Sequence, residues 1–161
     1  MKTGHDIAMA LRAAYLSMHR QTNSHLAPSG MTADQFVLLA LLSEQDGITQ
    51  QQLAHRASSD PNTTRAMLVL LENRGLVKRR RHPTDGRAFR ITLTRKGRNT
   101  YAKLSAAIRP LQNRLSSPFK DKEINMMIKS LGKVSEVMLN QTRNNSQRKS
   151  KKNKFRKGGK L

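Results

Sequence analysis

Two short helices meeting at a corner, with a strongly basic hairpin directly behind them, constrain this chain more than any other stretch. In Thr49-Gln50-Gln51-Gln52 the Thr49 hydroxyl is spaced to accept from the third amide, and Gln52 to reach back, as a capping box. Leu53, Ala54 and Ala57 give the helix that follows one apolar side. Ser58-Ser59 makes the corner; Asp60 is placed as an N-cap, and Pro61 sits where a missing N–H costs nothing. The second helix is expected to bury Ala66, Met67, Val69, Leu70 and Leu71 and to stop at Gly75.

Leu76 to Arg81 then reads as a strand, His82-Pro83-Thr84-Asp85-Gly86 as a turn, and Arg87 to Thr94 as the returning strand. In that return Phe89, Ile91 and Leu93 alternate with Arg90 and Thr92, the period of a half-buried strand. A helix-turn-helix with a basic β-hairpin behind it is a winged helix, which grips DNA with both helix and hairpin. The run Leu71-Glu72-Asn73-Arg74-Gly75-Leu76-Val77, the wing Pro83-Thr84-Asp85-Gly86-Arg87, and Leu93-Thr94-Arg95-Lys96-Gly97 resemble the MarR family of bacterial transcriptional regulators. The expected fold is mainly α with a small β-wing (α+β): a winged helix-turn-helix flanked by N- and C-terminal helices.

The flanking segments read as helices. From about His5 to Leu26, Ile7, Leu11, Ala14, Tyr15 and Met18 form a narrow apolar stripe that Pro28-Ser29-Gly30 ends. Thr32-Ala33-Asp34-Gln35 is another capping box, and Phe36, Leu38, Leu39, Leu41 and Leu42 make the next helix apolar on most sides, an interior helix. Ile48 is placed to add a third strand to the wing. Tyr101, Leu104, Ile108, Leu111 and Leu115 mark a long helix that Pro110 should kink. Ile124, Met127, Ile128, Leu131, Val134 and Met138 mark the last one. With 36% apolar residues the chain has little material to bury these stripes alone. The resemblance implies that the first and last two helices interlock with a second subunit in a homodimer. The expected divisions are a dimerisation helix over 1–29, the DNA-binding domain over 30–97, dimerisation helices over 98–140, and a tail over 141–161.

The net charge of +21, from 31 basic and 10 acidic residues, points to a polyanion partner. Nine of those positive charges and no acid lie in 143–161, so the rest of the chain is basic in its own right. That tail has too little apolar material to offset ordering entropy, and is expected to be a disordered, phosphate-binding arm. The lack of cysteine excludes disulfides, thiolate zinc sites and the cysteine-based peroxide sensing of some MarR regulators. The N-terminus lacks a signal-peptide core and no stretch nears ~20 apolar residues, so a cytoplasmic protein with no membrane partner is expected.

For DNA recognition, Pro61, Asn62, Thr63 and Arg65 lie on the first turns of the second helix, away from Met67, Leu68 and Leu71. Arg65 suits guanine and Asn62 adenine in the major groove, while Thr64 is a candidate to turn inward. Asp85 is placed to hold the wing loop, Gly86 to permit its turn, and Arg87 to enter the minor groove. The resemblance implies those same roles for Asp85 and Arg87, although the family often has an arginine where this chain has Gly86. Arg79, Arg80 and Arg81 are candidates along the phosphates, and Thr49, Gln51 and Ser58 are weaker ones. Double-stranded DNA bearing an inverted repeat is the expected partner, with half-sites about 10 base pairs apart or a multiple of that. The resemblance further implies a repressor released by a small, often aromatic, anionic effector, for which Tyr15, His19 and Phe36 are candidate ligand-binding residues.

No cofactor, metal motif or catalytic constellation is expected; the five histidines do not share a ligand spacing with the carboxylates. The competing reading is a low-specificity architectural, nucleoid-type protein driven by its basic tail. RNA binding is disfavoured by the scarcity of aromatic residues on the basic segments.

Overall fold

The computed structural model describes residues 1–81, 83–84 and 88–157, from 140 onward by backbone alone. Six α-helices, one 3-10 turn and three strands follow in the order α1 (Gly4–Leu26), η1 (Ala27–Ser29), α2 (Ala33–Glu44), β1 (Ile48–Thr49), α3 (Gln50–Arg56), α4 (Pro61–Asn73), β2 (Val77–Arg81), β3 (Phe89–Leu93), α5 (Arg95–Ser116) and α6 (Asp121–Lys157). The chain forms two compact units, Met1–Asn113 and Arg114–Leu161.

Local capping sets most helix starts. Thr32 and Thr49 each close a capping box, onto Gln35 and Gln52 respectively. Thr3 closes a third with Asp6 at the start of α1, which the apolar pattern alone did not announce. Its N–H and hydroxyl both donate to the Asp6 carboxylate, at 2.7 and 2.9 Å, and hold that carboxyl below its usual range. At the far end of α4, Gly75 takes a φ of +69°. The amides of Gly75 and Leu76 then turn back to the carbonyls of Glu72 and Leu71, ending the helix as a Schellman turn.

The first unit is built on α2, where Leu38, Leu39 and Leu42 have no exposed surface. Leu26 from α1, Leu53 from α3, Leu68 and Leu71 from α4, Ile91 from β3, and Leu104 and Ile108 from α5 complete that core. The sheet order is β1-β3-β2, all antiparallel, with Ile48 opposite Ile91 and Val77 opposite Leu93. The third strand expected at Ile48 is therefore present. Asp46 accepts from the amides of Gly47 and Leu93, at 3.1 and 2.9 Å, and pins the β1 approach to the end of β3.

Several expectations change. On α4 the buried side chains are Thr64, Leu68 and Leu71, whereas Ala66, Val69 and Leu70 are exposed. Apolar residues surround most of that helix, and its contacts with α2, α3 and β2 select which of them go inside. Contacts also cross the boundaries expected at 29/30 and 97/98. Leu26 is buried in the same core, Tyr101 stacks on Phe36 with centroids 5.7 Å apart, and Gly97 lies against Leu76. Helix α5 is continuous through Pro110. Residues 141–157, within the segment expected to be a disordered tail, prolong α6 to Lys157. No glycine or proline interrupts 133–157, and Lys, Arg and Gln are good helix formers.

Unit two consists of the last residues of α5 and helix α6. Ile124 and Val134 are half-buried, whereas Met126, Met127, Ile128, Leu131, Val137 and Leu139 stand exposed.

Candidate nucleic-acid interface

The corner between α3 and α4 is drawn tight by backbone bonds from Ala57 to Leu53, Ser58 to His55 and Ser59 to Ala54. Ser58 occupies the left-handed region at φ +50°, which costs a non-glycine residue. Arg56 anchors the same corner to the end of α2, donating to Glu44 at 2.7 Å and Gln45 at 3.3 Å. Thr49 is half-buried as the α3 cap, and Gln51 is exposed beside a shallow hollow shared with Ile48 and His55.

Asp60 then sets the start of α4. One carboxylate oxygen accepts from the Asn62 and Thr63 amides, at 2.8 and 3.1 Å, and Pro61 contributes no amide to satisfy. Pro61, Asn62, Thr63 and Arg65 all face solvent. Thr64 turns inward with no exposed surface, as the helical period allowed. This is a helix end whose outward side presents an amide, a hydroxyl and a guanidinium while its inward side is locked in the core. Such an arrangement suits insertion into a groove.

Behind it the hairpin divides its charges by register. Val77, Arg79 and Arg81 lie opposite Leu93, Ile91 and Phe89, on the core-facing side of the sheet. Arg79 is consequently committed. Its Nε donates to Glu72 at 2.7 Å, its backbone N–H to the other Glu72 oxygen at 3.2 Å, and its guanidinium lies 6.0 Å from the Phe89 ring centre. Arg79, expected along the phosphates, thus already holds an acid partner, which lies seven residues earlier and becomes a neighbour only when β2 folds back on α4. Arg81 lies on the same side but past the core, and is exposed. The opposite side carries Lys78, Arg80 and Arg90. Arg90 was read from the sequence only as an outward strand residue, and Lys78 was not singled out; the alternation that marked Ile91 and Leu93 as inward was the signal for both. Asp85, Gly86 and Arg87, the expected wing tip, lie outside the described residues.

Of the three ligand candidates, His19 lines a cleft of about 460 Å³, formed with Asn23, Ala27, Gly30, Met31, Thr32 and Asp34. Its imidazole meets Asp34 at 3.4 Å through Nε2 and Asn23 at 3.1 Å through Nδ1, while the Asn23 side-chain Oδ1 accepts from the Ala33 amide at 2.8 Å. Tyr15 is exposed on α1, its ring centre 5.4 Å from that of His19. Phe36 is instead a core residue stacked on Tyr101, because α2 turns that side toward α5.

A capped recognition helix, a tight corner before it and a basic three-stranded wing behind it define a winged helix-turn-helix DNA-binding protein. The family model for MarR matches residues 31–89, which contain the corner, α4 and most of the hairpin. An HTH-type transcriptional repressor of Mycobacterium tuberculosis is 32% identical over 116 residues, 70% of this chain and 83% of that protein. The structure is also similar to the transcriptional repressor CouR bound to a 23-mer DNA duplex, with a TM-score of 0.71 and 28% identity over 84% of this chain and 98% of that one. CouR from Rhodococcus jostii RHA1 bound to p-coumaroyl-CoA gives a TM-score of 0.73 and 28% identity, over 80% and 91% of the two chains. The chain belongs to the MarR family, whose members are transcriptional regulators rather than enzymes. Among the described residues no single helix is long and apolar enough to cross a membrane.

Proposed function

We propose that this regulator acts as a homodimeric repressor, binding an inverted-repeat operator and leaving it when a small anionic, aromatic effector binds. The observation that carries this reading is the two-sided α4: Asn62, Thr63 and Arg65 exposed, Thr64, Leu68 and Leu71 buried. Arg65 would pair with guanine and Asn62 with adenine, while Pro61 and Ser58 bring the helix start close to phosphates. Thr49, Gln51 and Arg81 add backbone contacts, and Asp85 and Arg87 complete the proposed DNA-contacting set at the minor groove.

Dimerisation is supported by apolar surface that a single chain leaves uncovered. Ile7, Tyr15 and Met18 on α1, and Met127, Ile128 and Leu131 on α6, are each more than 40% exposed. Regularly spaced apolar side chains on long helices at both ends of one chain suit an isologous interface. The effector would enter the His19 cleft, whose size falls within the range of small-molecule pockets. Its anionic group would compete with Asp34 for His19, loosening the tie between α1 and the start of α2.

Selection of bound fragments from a random DNA pool at about 0.15 M salt tests the reading, because that salt weakens contacts blind to sequence. Recovery of one inverted repeat, with two chains per duplex by light scattering, is the expected result. Equal retention of all sequences would refute it and leave the architectural reading, which rests on the nine positive charges of 143–161.

A further inference from the structure

Two ties hold the turn between α1 and α2, one on each side. On the side of the cleft, His19 meets Asp34, and Asn23 accepts from the Ala33 amide. On the other side Arg74, the C-cap of α4, reaches across to the same turn. Its Nη1 donates to the Gly30 carbonyl at 2.7 Å and its Nη2 to the Ser29 carbonyl at 2.9 Å. Those carbonyls end the helical run of α1 and η1, where Gly30 turns left-handed at φ +60°. Carbonyls at such an end lack helical partners and carry partial negative charge, so a guanidinium with two parallel donors suits them. None of the ion pairs among the described residues includes Arg74, and its charge is directed at this turn.

The main chain of Arg74 is committed as well. Its amide donates to the Leu70 and Glu72 carbonyls at the end of α4, and its carbonyl accepts from Lys96 at 2.8 Å. Ala27, Gly30, Met31 and Thr32 are at the same time the wall of the His19 cleft. One residue therefore joins that wall to the end of the recognition helix, across 44 positions of sequence.

We infer that Arg74 couples the cleft to α4. When the His19–Asp34 tie opens, the turn shifts, and Arg74 carries the shift to the end of the helix that meets DNA. The regulatory meaning rests on the cleft receiving the effector, as proposed above; the mechanical link needs only the bonds just described. Arg74 sits at the opposite end of α4 from Asn62 and Arg65 and does not line the cleft, so it acts by positioning. Such coupling is reciprocal: DNA held by α4 should in turn steady the turn and disfavour an open cleft.

The test opens the cleft tie by substitution, so it requires no effector. His19→Ala is placed in three backgrounds of the full chain: wild type, Arg74→Met and Arg56→Gln. Arg56 ties α3 to the end of α2 without touching the turn. Amide exchange at one fixed pH, read by NMR, follows Met31, bonded to Leu26, and Gly75 and Leu76, bonded to Glu72 and Leu71. In the wild-type and Arg56→Gln backgrounds, His19→Ala is expected to speed all three by about fivefold or more. In the Arg74→Met background it should speed Met31 alone. Arg74→Lys keeps a cation that can reach one carbonyl, so it should retain part of the coupling, and it replaces the methionine variant if that one fails to fold. Ala57, whose amide bonds Leu53 in α3, should stay unchanged throughout.

Equal acceleration of Gly75 and Leu76 with and without Arg74 would overturn the assignment, as would no acceleration in the wild-type background. Acceleration of Ala57 to the same degree would also overturn it, since that marks loosening of the whole fold. If benzoate, as a simple aromatic anion, neither binds the wild-type protein nor releases DNA while the exchange pattern is as expected, the effector reading loses support and the coupling stands.

Discussion

Thr64 offers a direct check on how α4 is seated. It is fully buried beside Leu68 and Leu71, and among the described residues its hydroxyl has no hydrogen-bond partner. A buried hydroxyl left unsatisfied costs about 1–3 kcal/mol. Thr64→Val exchanges that hydroxyl for a methyl of nearly the same shape, and the two residues have similar helix propensities. The change removes the desolvation penalty and adds a buried methyl worth up to about 0.8 kcal/mol. A net gain of about 1–2 kcal/mol is expected, or about 2–8 °C in melting temperature for a chain of this size. Urea and thermal melts followed by circular dichroism at one fixed protein concentration would measure it, since an associating protein melts according to concentration. Thr64→Ser, which keeps the hydroxyl and loses the methyl, should destabilise. A valine variant less stable than wild type by 1 kcal/mol or more (roughly the worth of one hydrogen bond) would refute the reasoning, because the hydroxyl would then have a partner in solution. DNA affinity should not change, as Thr64 points away from the exposed side of α4 that carries Arg65.

Other substitutions probe other joints. At Gly97 a Cβ would overlap the Leu76 carbonyl, so Gly97→Ala must push α5 off β2 and should cost about 3 kcal/mol in a urea melt. Full retention of stability would mean that the α5 start is looser than described. Arg65→Ala should cost about 1–3 kcal/mol of operator binding and relax preference at one base pair, scored against single-base operator variants. Asp6 stabilises the α1 start as a carboxylate, so this contribution is present above its ordinary value of 3.8 and lost as the pH falls through its lower folded value. Amide exchange in the first turn of α1 should accelerate there, and Asp6→Asn should remove that pH dependence.

What the sequence could reveal here followed the range of the interactions. Thr32, Thr49 and Asp60 bond to amides two or three residues away, so their spacing alone located the starts of α2, α3 and α4. Ile91 and Leu93 were legible by alternation because one side of the sheet is buried. Val69 and Leu70 were not, since apolar residues ring α4 and tertiary contacts choose among them. The stacking of Phe36 on Tyr101, 65 positions away, is a tertiary contact that no local pattern announced. Arg79 and Arg80 were equivalent as sequence; strand register gives the first to Glu72 and turns the second outward. The helical run of α6 past 140 was not legible, because composition reports whether a segment can bury a core, and a polar helix does not need one.

The Glu72–Arg79 pair decides how recognition helix and wing move. Glu72 is on α4 and bonds both the backbone and the side chain of Arg79 on β2. Thr94, at the end of β3, donates from its backbone and hydroxyl to the Leu76 carbonyl, and its hydroxyl also reaches the Gly75 carbonyl at 2.7 Å. Lys96 then reaches back to the carbonyl of Arg74 at the end of α4, at 2.8 Å. With these bonds spanning the α4–β2 turn, groove-reading helix and hairpin form one body, and a ligand has no cheap way to change the angle between them. In the proposed dimer, release must therefore come from a change in the spacing of two such bodies. Glu72→Gln replaces a charge-assisted, part-buried bond by a neutral one and should cost about 1–2 kcal/mol of stability. If the pair holds one rigid body, operator affinity should fall along with that stability, because α4 and the wing no longer present a fixed angle to the duplex. Undiminished stability together with tighter binding would show instead that Glu72 restrains Arg79 from DNA, and would return Arg79 to the phosphate-contacting set.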